Sequence, residues 1–234
     1  MNIIADGAIG KGGNEGPSFA NAAGPGIEGN MANCNWIDDD CAQVGGVGGP
    51  GVQGGQGGPG GPGGHGGTLD IEVSSFSALI TLSAKGGKGG DGGKGGKGQD
   101  GGKGGNGGKG DDCELGRHGG NGGPGGNAGV GGQGGPGGNG GIIVVRTKNI
   151  ADGNNATINV NSGEGGRGGD AGQPGLPGAP GDDGSTTGVF VTSGDCEDMG
   201  PVPQWGAPGT TPSPATLGYG VNGNAGTAQL LQIQ

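Results

Sequence analysis

Hydrophobic and polar residues alternate in two stretches of this chain. Residues 68–85 (TLDIEVSSFSALITLSAK) and 142–162 (IIVVRTKNIADGNNATINVNS) carry apolar side chains at roughly every second position, in two runs around a polar middle. A period of two is typical of β-strands. We therefore predict one β-hairpin in each stretch.

Outside these stretches the chain repeats Gly-Gly-X, as in residues 45–67, where Val52 is the only substitution on a glycine row. A polyproline II helix has three residues per turn, so this metre places two glycine rows and one side-chain row along a straight rod. We predict six such rods, at residues 7–29, 45–67, 86–110, 119–141, 163–184 and 206–226.

With 75 Gly in 234 residues and 3 % aromatic residues, the chain cannot build an ordinary apolar core. Composition alone suggests disorder or collagen, but the metre argues against disorder. Collagen needs Gly at every third position and abundant Pro, whereas this chain has two Gly per triplet and only 15 Pro. Only residues 172–181 (GQPGLPGAPG) are collagen-like. The predicted fold class is an irregular repeat fold, an antiparallel bundle of about six polyglycine II helices with short β-hairpins at one end, disulfide-linked turns at the other and essentially no α-helix.

An internal repeat organises the chain. Asp6, Ala84 and Ser162 each stand where a predicted strand meets a rod, which gives a period of about 78 residues. We predict a single domain of three repeats, 7–85, 86–162 and 163–234, with 1–6 and 228–234 as complementary terminal strands. These strands are two halves of one hairpin and could pair within a molecule or between molecules, and head-to-tail pairing would make filaments. The candidate assembly residues are Ile3, Ile4, Leu230, Leu231 and Ile233.

Four cysteines fall in the three predicted turns opposite the hairpins. Of the three connectivities that four cysteines allow, we favour Cys34–Cys41 with Cys113–Cys196. Each disulfide would contribute about 2–4 kcal/mol. Stapled turns fit an extracellular, cell-surface or virion setting. No C-x-x-C spacing supports a zinc site.

Carboxylates and two tryptophans map to the same end. Converging carboxylates could bind calcium, although a solvated acidic cap is the alternative because no D-x-D-x-D-G loop is present. Trp36 and Trp205 could stack on a saccharide or receptor at the tip, or fill a small cap beneath the turns. The candidate calcium ligands are Asp38, Asp39, Asp40, Asp111, Asp112, Glu114, Asp195, Glu197 and Asp198.

Several function classes are disfavoured. His65 and His118 sit near opposite ends of rods that would be roughly 70 Å long, so they cannot share an active site, and we expect no enzyme. The lysines of 86–110 lack interleaved aromatics and the net charge is −10, so we expect no nucleic-acid partner. No stretch approaches the roughly 20 apolar residues of a membrane span. No signal peptide is evident, so we expect either a removed leader or release by other means, as for virion proteins.

The Gly-Gly-X rods with antiparallel turns resemble, in architecture only, the polyglycine II bundles of two groups. In the tip adhesins of T-even-like phage tail fibres, the resemblance implies distal loops that bind a bacterial surface receptor, here the turns holding Trp36, Cys113 and Trp205. In the snow flea antifreeze proteins it implies a flat face of small residues that orders water against ice. The outward rows here carry Lys, Asp, Gln, Asn and Pro, which departs from that face.

These features predict a non-enzymatic extracellular structural protein, a fibre or appendage subunit that self-associates by head-to-tail pairing of its terminal strands. The alternative is a receptor-binding adhesin at a phage tail-fibre tip, and ice binding ranks third.

Overall fold

Parallel β-sheets are the regular elements of this protein. The computed structural model contains two three-stranded parallel sheets, β1-β5-β7 and β4-β6-β8, and a two-stranded antiparallel ribbon, β2-β3. It describes residues 2–34, 39–76, 78–112, 114–149, 151, 155–186, 199–212 and 218–234. The strands are β1 (Asn2–Ile4), β2 (Asn33–Cys34), β3 (Asp39–Asp40), β4 (Thr68–Val73), β5 (Ile80–Ser83), β6 (Ile142–Thr147), β7 (Ala156–Asn159) and β8 (Thr227–Gln232).

The predicted fold class is therefore wrong. The described residues contain no helix of the predicted bundle, and their regular elements are strands in small sheets rather than polyglycine II helices joined by disulfide-linked turns. Within the same residues no helix is long and apolar enough to cross a membrane.

The two predicted β-hairpins are also wrong. β4 pairs in parallel with β6, and β5 pairs in parallel with β7, so strands that follow each other in the chain lie in different sheets. Alternating hydrophobicity indicates a strand and its buried face, but it does not name the partner strand. The partners here lie one repeat apart, as Thr68 with Ile142 and Ile80 with Ala156 show.

A small apolar core combines residues of both parallel sheets. Leu82 of β5 and Ile143 and Val145 of β6 are fully buried. Ile3 of β1 and Leu230 of β8 are partly buried against the same cluster. The core thus joins the first and last strands of the chain to its middle.

Six glycine-rich segments extend from these strands, and backbone hydrogen bonds at every third residue link them. In one layer, Gly10 N donates to Lys88 O and Gly89 N to Glu164 O, both at 2.8 Å. We call the segments 1 to 6 in chain order, namely 7–29, 45–67, 86–110, 119–141, 163–184 and 206–226.

The six segments form two layers. Segments 1, 3 and 5 make layer 1, which continues sheet β1-β5-β7, and segments 2, 4 and 6 make layer 2, which continues sheet β4-β6-β8. Gly90 N donates to Gly61 O and Gly135 N to Gly90 O across the layers, both at 2.8 Å. Segment 3 therefore contacts segments 1, 2, 4 and 5.

Glycine is required where neighbouring segments meet. A Cβ atom on Gly93 of segment 3 would overlap the carbonyl of Asn14 in segment 1. Main chains packed this closely leave no room for a side chain, since Gly alone lacks Cβ. The non-glycine row of each segment consequently faces solvent.

Candidate binding and assembly surfaces

The outward row of layer 1 is highly charged. Its segment 3 members are mostly Lys with two Asp, and the neighbouring rows on segments 1 and 5 add Glu, Asp and Arg. We call this surface the charged face. Its described charged residues include Glu15, Glu28, Lys85, Lys88, Asp91, Lys94, Lys97, Asp100, Lys103, Lys109, Glu164, Arg167, Asp170 and Asp182.

Carboxylates on the charged face connect segments 3 and 5. Asp91 Oδ1 accepts hydrogen bonds from Arg167 N at 2.8 Å and from Lys88 Nζ at 3.0 Å. The Arg167 amide and the Lys88 ammonium hold the pKa of Asp91 below its usual value. Lys97 and the Leu176 amide likewise lower the pKa of Asp100. Asp91 and Asp100 therefore have hydrogen-bond partners within the molecule.

The outward row of layer 2 has a different character. Its described members are mostly exposed, and none of them is Lys, Arg, Asp or Glu. We call this surface the uncharged face. It consists of Val47, Pro50, Gln53, Gln56, Pro59, Pro62, His65, His118, Asn121, Pro124, Asn127, Val130, Gln133, Pro136, Asn139, Gln204, Ala207, Thr210, Val221 and Asn224.

Asparagine side chains order the uncharged face. Asn121 Oδ1 accepts from Gln204 N at 2.8 Å, and Asn139 Oδ1 accepts from Asn224 N at 2.8 Å. Each amide thus spans from segment 4 to segment 6 instead of projecting outward. At one end of this face His118 Nδ1 lies 2.8 Å from Asp183 Oδ1, and this contact lowers the pKa of Asp183.

The terminal strands lie in separate sheets. β1 pairs with β5 and β8 pairs with β6, each at the edge of its sheet, and the two do not pair with each other in the described structure. Among the candidate assembly residues, Ile3, Leu230 and Ile233 are half-buried, whereas Ile4 is 63 % exposed and Leu231 41 %. The expected split hairpin is therefore two independent edges.

The predicted turn sites are only partly described. Cys41 is disulfide-bonded. The side chain of Cys34 and all of Cys113 and Cys196 lie outside the described residues, so the two pairings stay predictions.

The candidate calcium ligands and tip residues are similarly divided. Asp40 and Asp112 are exposed, Asp111 is half-buried, and Glu114 is buried. Within the described ranges no group of three His, Cys, Asp or Glu residues could hold a metal ion. Trp205 lies directly before segment 6 and is 65 % exposed. The side chain of Asp39 and all of Asp38, Asp195, Glu197, Asp198 and Trp36 lie outside the described part of the chain.

The division into a charged and an uncharged face is the feature that sequence analysis missed. The signal was available, because segments 3 and 5 carry the charged rows while segments 2 and 4 carry none. What was lacking was the knowledge that odd and even segments form separate layers.

Comparison with known proteins assigns no family. No protein-family description matches this chain, and no curated protein matches it. A solved structure, the nine polyproline type II helical bundle antifreeze protein of the springtail Granisotoma rainieri, is 22 % identical and aligns over 75 % of this chain and 96 % of its own. The TM-score of 0.11 is too low for a common fold to be inferred.

Proposed function

We propose that this chain is a non-enzymatic extracellular structural protein whose copies join into a fibre or appendage through their terminal strands. The observation that carries the proposal is the position of β1 and β8 at the edges of two different sheets. Strand edges are surfaces to which another chain can add by backbone hydrogen bonding.

The register identifies the outward-facing amides. Ala5 N donates to Ser83 O within the molecule, and at the other terminus Thr227 N donates to Gly141 O and Ile233 N to Thr147 O. Because alternate residues of a strand face opposite sides, the amides of Ile4 and of residues 228 and 232 face away from the neighbouring strand. Two different edges that meet head to tail do not close a ring unless the rotation between copies closes it, so such contacts favour filaments.

An extracellular setting is supported by the cysteines. Cys41 is disulfide-bonded, and disulfides persist mainly in oxidising compartments. The glycine segments also benefit from covalent constraint, because glycine loses more conformational freedom on folding than any other residue.

Proline on the outer edge of β8 tests the proposal. Ala228→Pro with Gln232→Pro removes two outward amides without removing the inward Thr227 and Ile233 donors. The matched control is Ala228→Ser with Gln232→Ser, which keeps both backbone amides. Like the proline variant, it loses the hydrogen bond that the side-chain Nε2 of Gln232 donates to Lys148 O. We expect sedimentation velocity to show concentration-dependent assembly of the parent and of the serine variant, and monomers for the proline variant. A parent that stays monomeric, or a proline variant that assembles like the serine control, would contradict strand pairing.

The uncharged face favours one second candidate, ice binding. Charges on the outward rows argue against such a face, but in the described structure those charges lie on the other layer. A regular and uncharged surface held by a stiff backbone network is suited to an ordered water lattice. By contrast, the adhesin alternative depends on tip residues of which the described structure includes only Trp205, so no observation favours it.

A matched pair of substitutions tests ice binding. Gln133→Lys places a charge on the uncharged face, and Gln173→Lys places the same charge on the charged face; both glutamines are exposed members of outward rows. We expect the parent to separate its freezing and melting temperatures in a nanolitre osmometer. Gln133→Lys should at least halve that gap, and Gln173→Lys should leave it unchanged. A parent without any gap would eliminate this candidate.

A further inference from the structure

Interior segments donate hydrogen bonds sideways within their layer. In segment 3, the amides of Gly98 and Gly101 donate to the carbonyls of Gln173 and Leu176 in segment 5, both at 2.8 Å. Gly104 N donates to Ala179 O at 2.9 Å. This row of amides attaches each segment to the next one in its layer.

Segment 5 lacks three of the equivalent donors. Matching positions on segments 3 and 5 lie 76 residues apart, as Asp91 and Arg167 do. Pro174, Pro177 and Pro180 therefore occupy the places of Gly98, Gly101 and Gly104. Proline fits an extended backbone but has no N–H.

One of the amides that remain on this edge is capped by a side chain. Gly165 keeps its amide, but that amide donates to Asn222 Oδ1 at 2.9 Å. With three prolines and one capped amide, this edge offers fewer donors to a further segment than the same row of segment 3 does.

Segment 6 replaces glycine with bulky residues on the same side. Its register with segment 4 is 83 to 85 residues, as the Asn121 to Gln204 and Asn139 to Asn224 bonds show. Trp205 and Tyr219 therefore stand where segment 4 has Gly122 and Gly134. They are 65 % and 72 % exposed.

Segment 1 shows the same replacement on the opposite side of the molecule. Gly90 and Gly105 of segment 3 contact the backbones of Lys11 and Ile27, and their amides donate to segment 2. At the corresponding places segment 1 carries Lys11 and Ile27 themselves, the latter 84 % exposed. Side chains at these positions would hold a further backbone away.

We infer that the outer edges of segments 1, 5 and 6 prevent the addition of another glycine segment, whether from this chain or from a second copy, and that the middle repeat, residues 86–162, is a unit that can be multiplied. Segments 3 and 4 keep two glycine rows and so accept neighbours on both sides. The first and last repeats act as caps, as in other repeat proteins whose terminal repeats differ from the interior ones.

Duplication of residues 86–162 in tandem tests this inference. We expect no more association by sedimentation than the parent shows, and a thermal midpoint no lower than that of the parent, because each added repeat brings a full set of neighbours. The matched control carries the same duplication with Gly98→Pro, Gly101→Pro and Gly104→Pro in the first copy. We expect this control to melt at lower temperature or to associate. Equal behaviour of the two duplications would overturn the inference.

Proline and glycine substitutions in the natural chain test the same inference if neither duplication folds. Gly98→Pro, Gly101→Pro and Gly104→Pro should together lower its thermal midpoint by about 10 °C, since three buried donors are lost. Pro174→Gly, Pro177→Gly and Pro180→Gly remove no hydrogen bond, so the fall should be smaller. A chain that tolerates the first set as well as the second would show that the edge prolines have no stopping role. All variants in this test have identical terminal strands, so their comparison is independent of whether those strands join copies.

Discussion

At the scale of single residues, a glycine in this protein marks a neighbouring backbone. Segments 2, 3 and 4 have two glycine rows, whereas in segments 1, 5 and 6 only one row is largely continuous and the row on the outer edge carries mostly other residues. The collagen-like stretch at 172–181 follows from this rule, because its prolines lie on that edge. Outward positions carry no such restriction.

Substitutions at neighbouring residues of segment 3 should therefore change the stability of the fold by very different amounts. Gly93→Val places a branched side chain against the carbonyl of Asn14 and should destabilise the fold by about 3 kcal/mol or more. Lys94→Ala, on the exposed row, should change the free energy of unfolding by less than about 0.5 kcal/mol. Urea titration followed by circular dichroism measures both values. Equal destabilisation by the two variants would contradict the close packing at Gly93.

At the scale of elements, the sequence indicates strands and a triplet metre but not which strands pair. Alternation marks residues such as Ile143 and Val145 as one buried face, and both are fully buried. The hairpin prediction assumed that β4 and β5, which are adjacent in the chain, also pair. Consecutive segments instead lie in different layers, so each strand pairs with its equivalent in another repeat. The periodicity of the sequence does not indicate which strands pair.

The carboxylates between segments 3 and 5 should make this pairing sensitive to acid. The pKa values of Asp91 and Asp100 are lowered in the folded protein. Their contribution is therefore present above the unfolded pKa of about 4 and is lost as the pH falls through the folded value. We expect the thermal midpoint of the parent to exceed that of the Asp91→Asn, Asp100→Asn variant at pH 7. The difference should shrink below about pH 4, and a constant difference from pH 7 to pH 2 would contradict the assignment.

At the scale of the whole molecule, the protein presents two chemically distinct faces and two open strand edges. The terminal strands could be identified from the sequence as candidate assembly elements. Their placement in separate sheets could not be predicted, because it depends on odd-numbered and even-numbered segments lying in different layers. The uncharged face was hidden for the same reason. The charged face and the uncharged face can be distinguished only when outward residues such as Lys94 and Gln133 are assigned to their layers.

Negative-stain electron microscopy of the non-reduced protein at increasing concentration tests the central claim most directly, namely that copies join through their terminal strands. If copies join through their terminal strands, we expect regular filaments that lengthen with concentration and are absent when Ala228 and Gln232 are both replaced by proline. Separate particles of constant size at every concentration would contradict it.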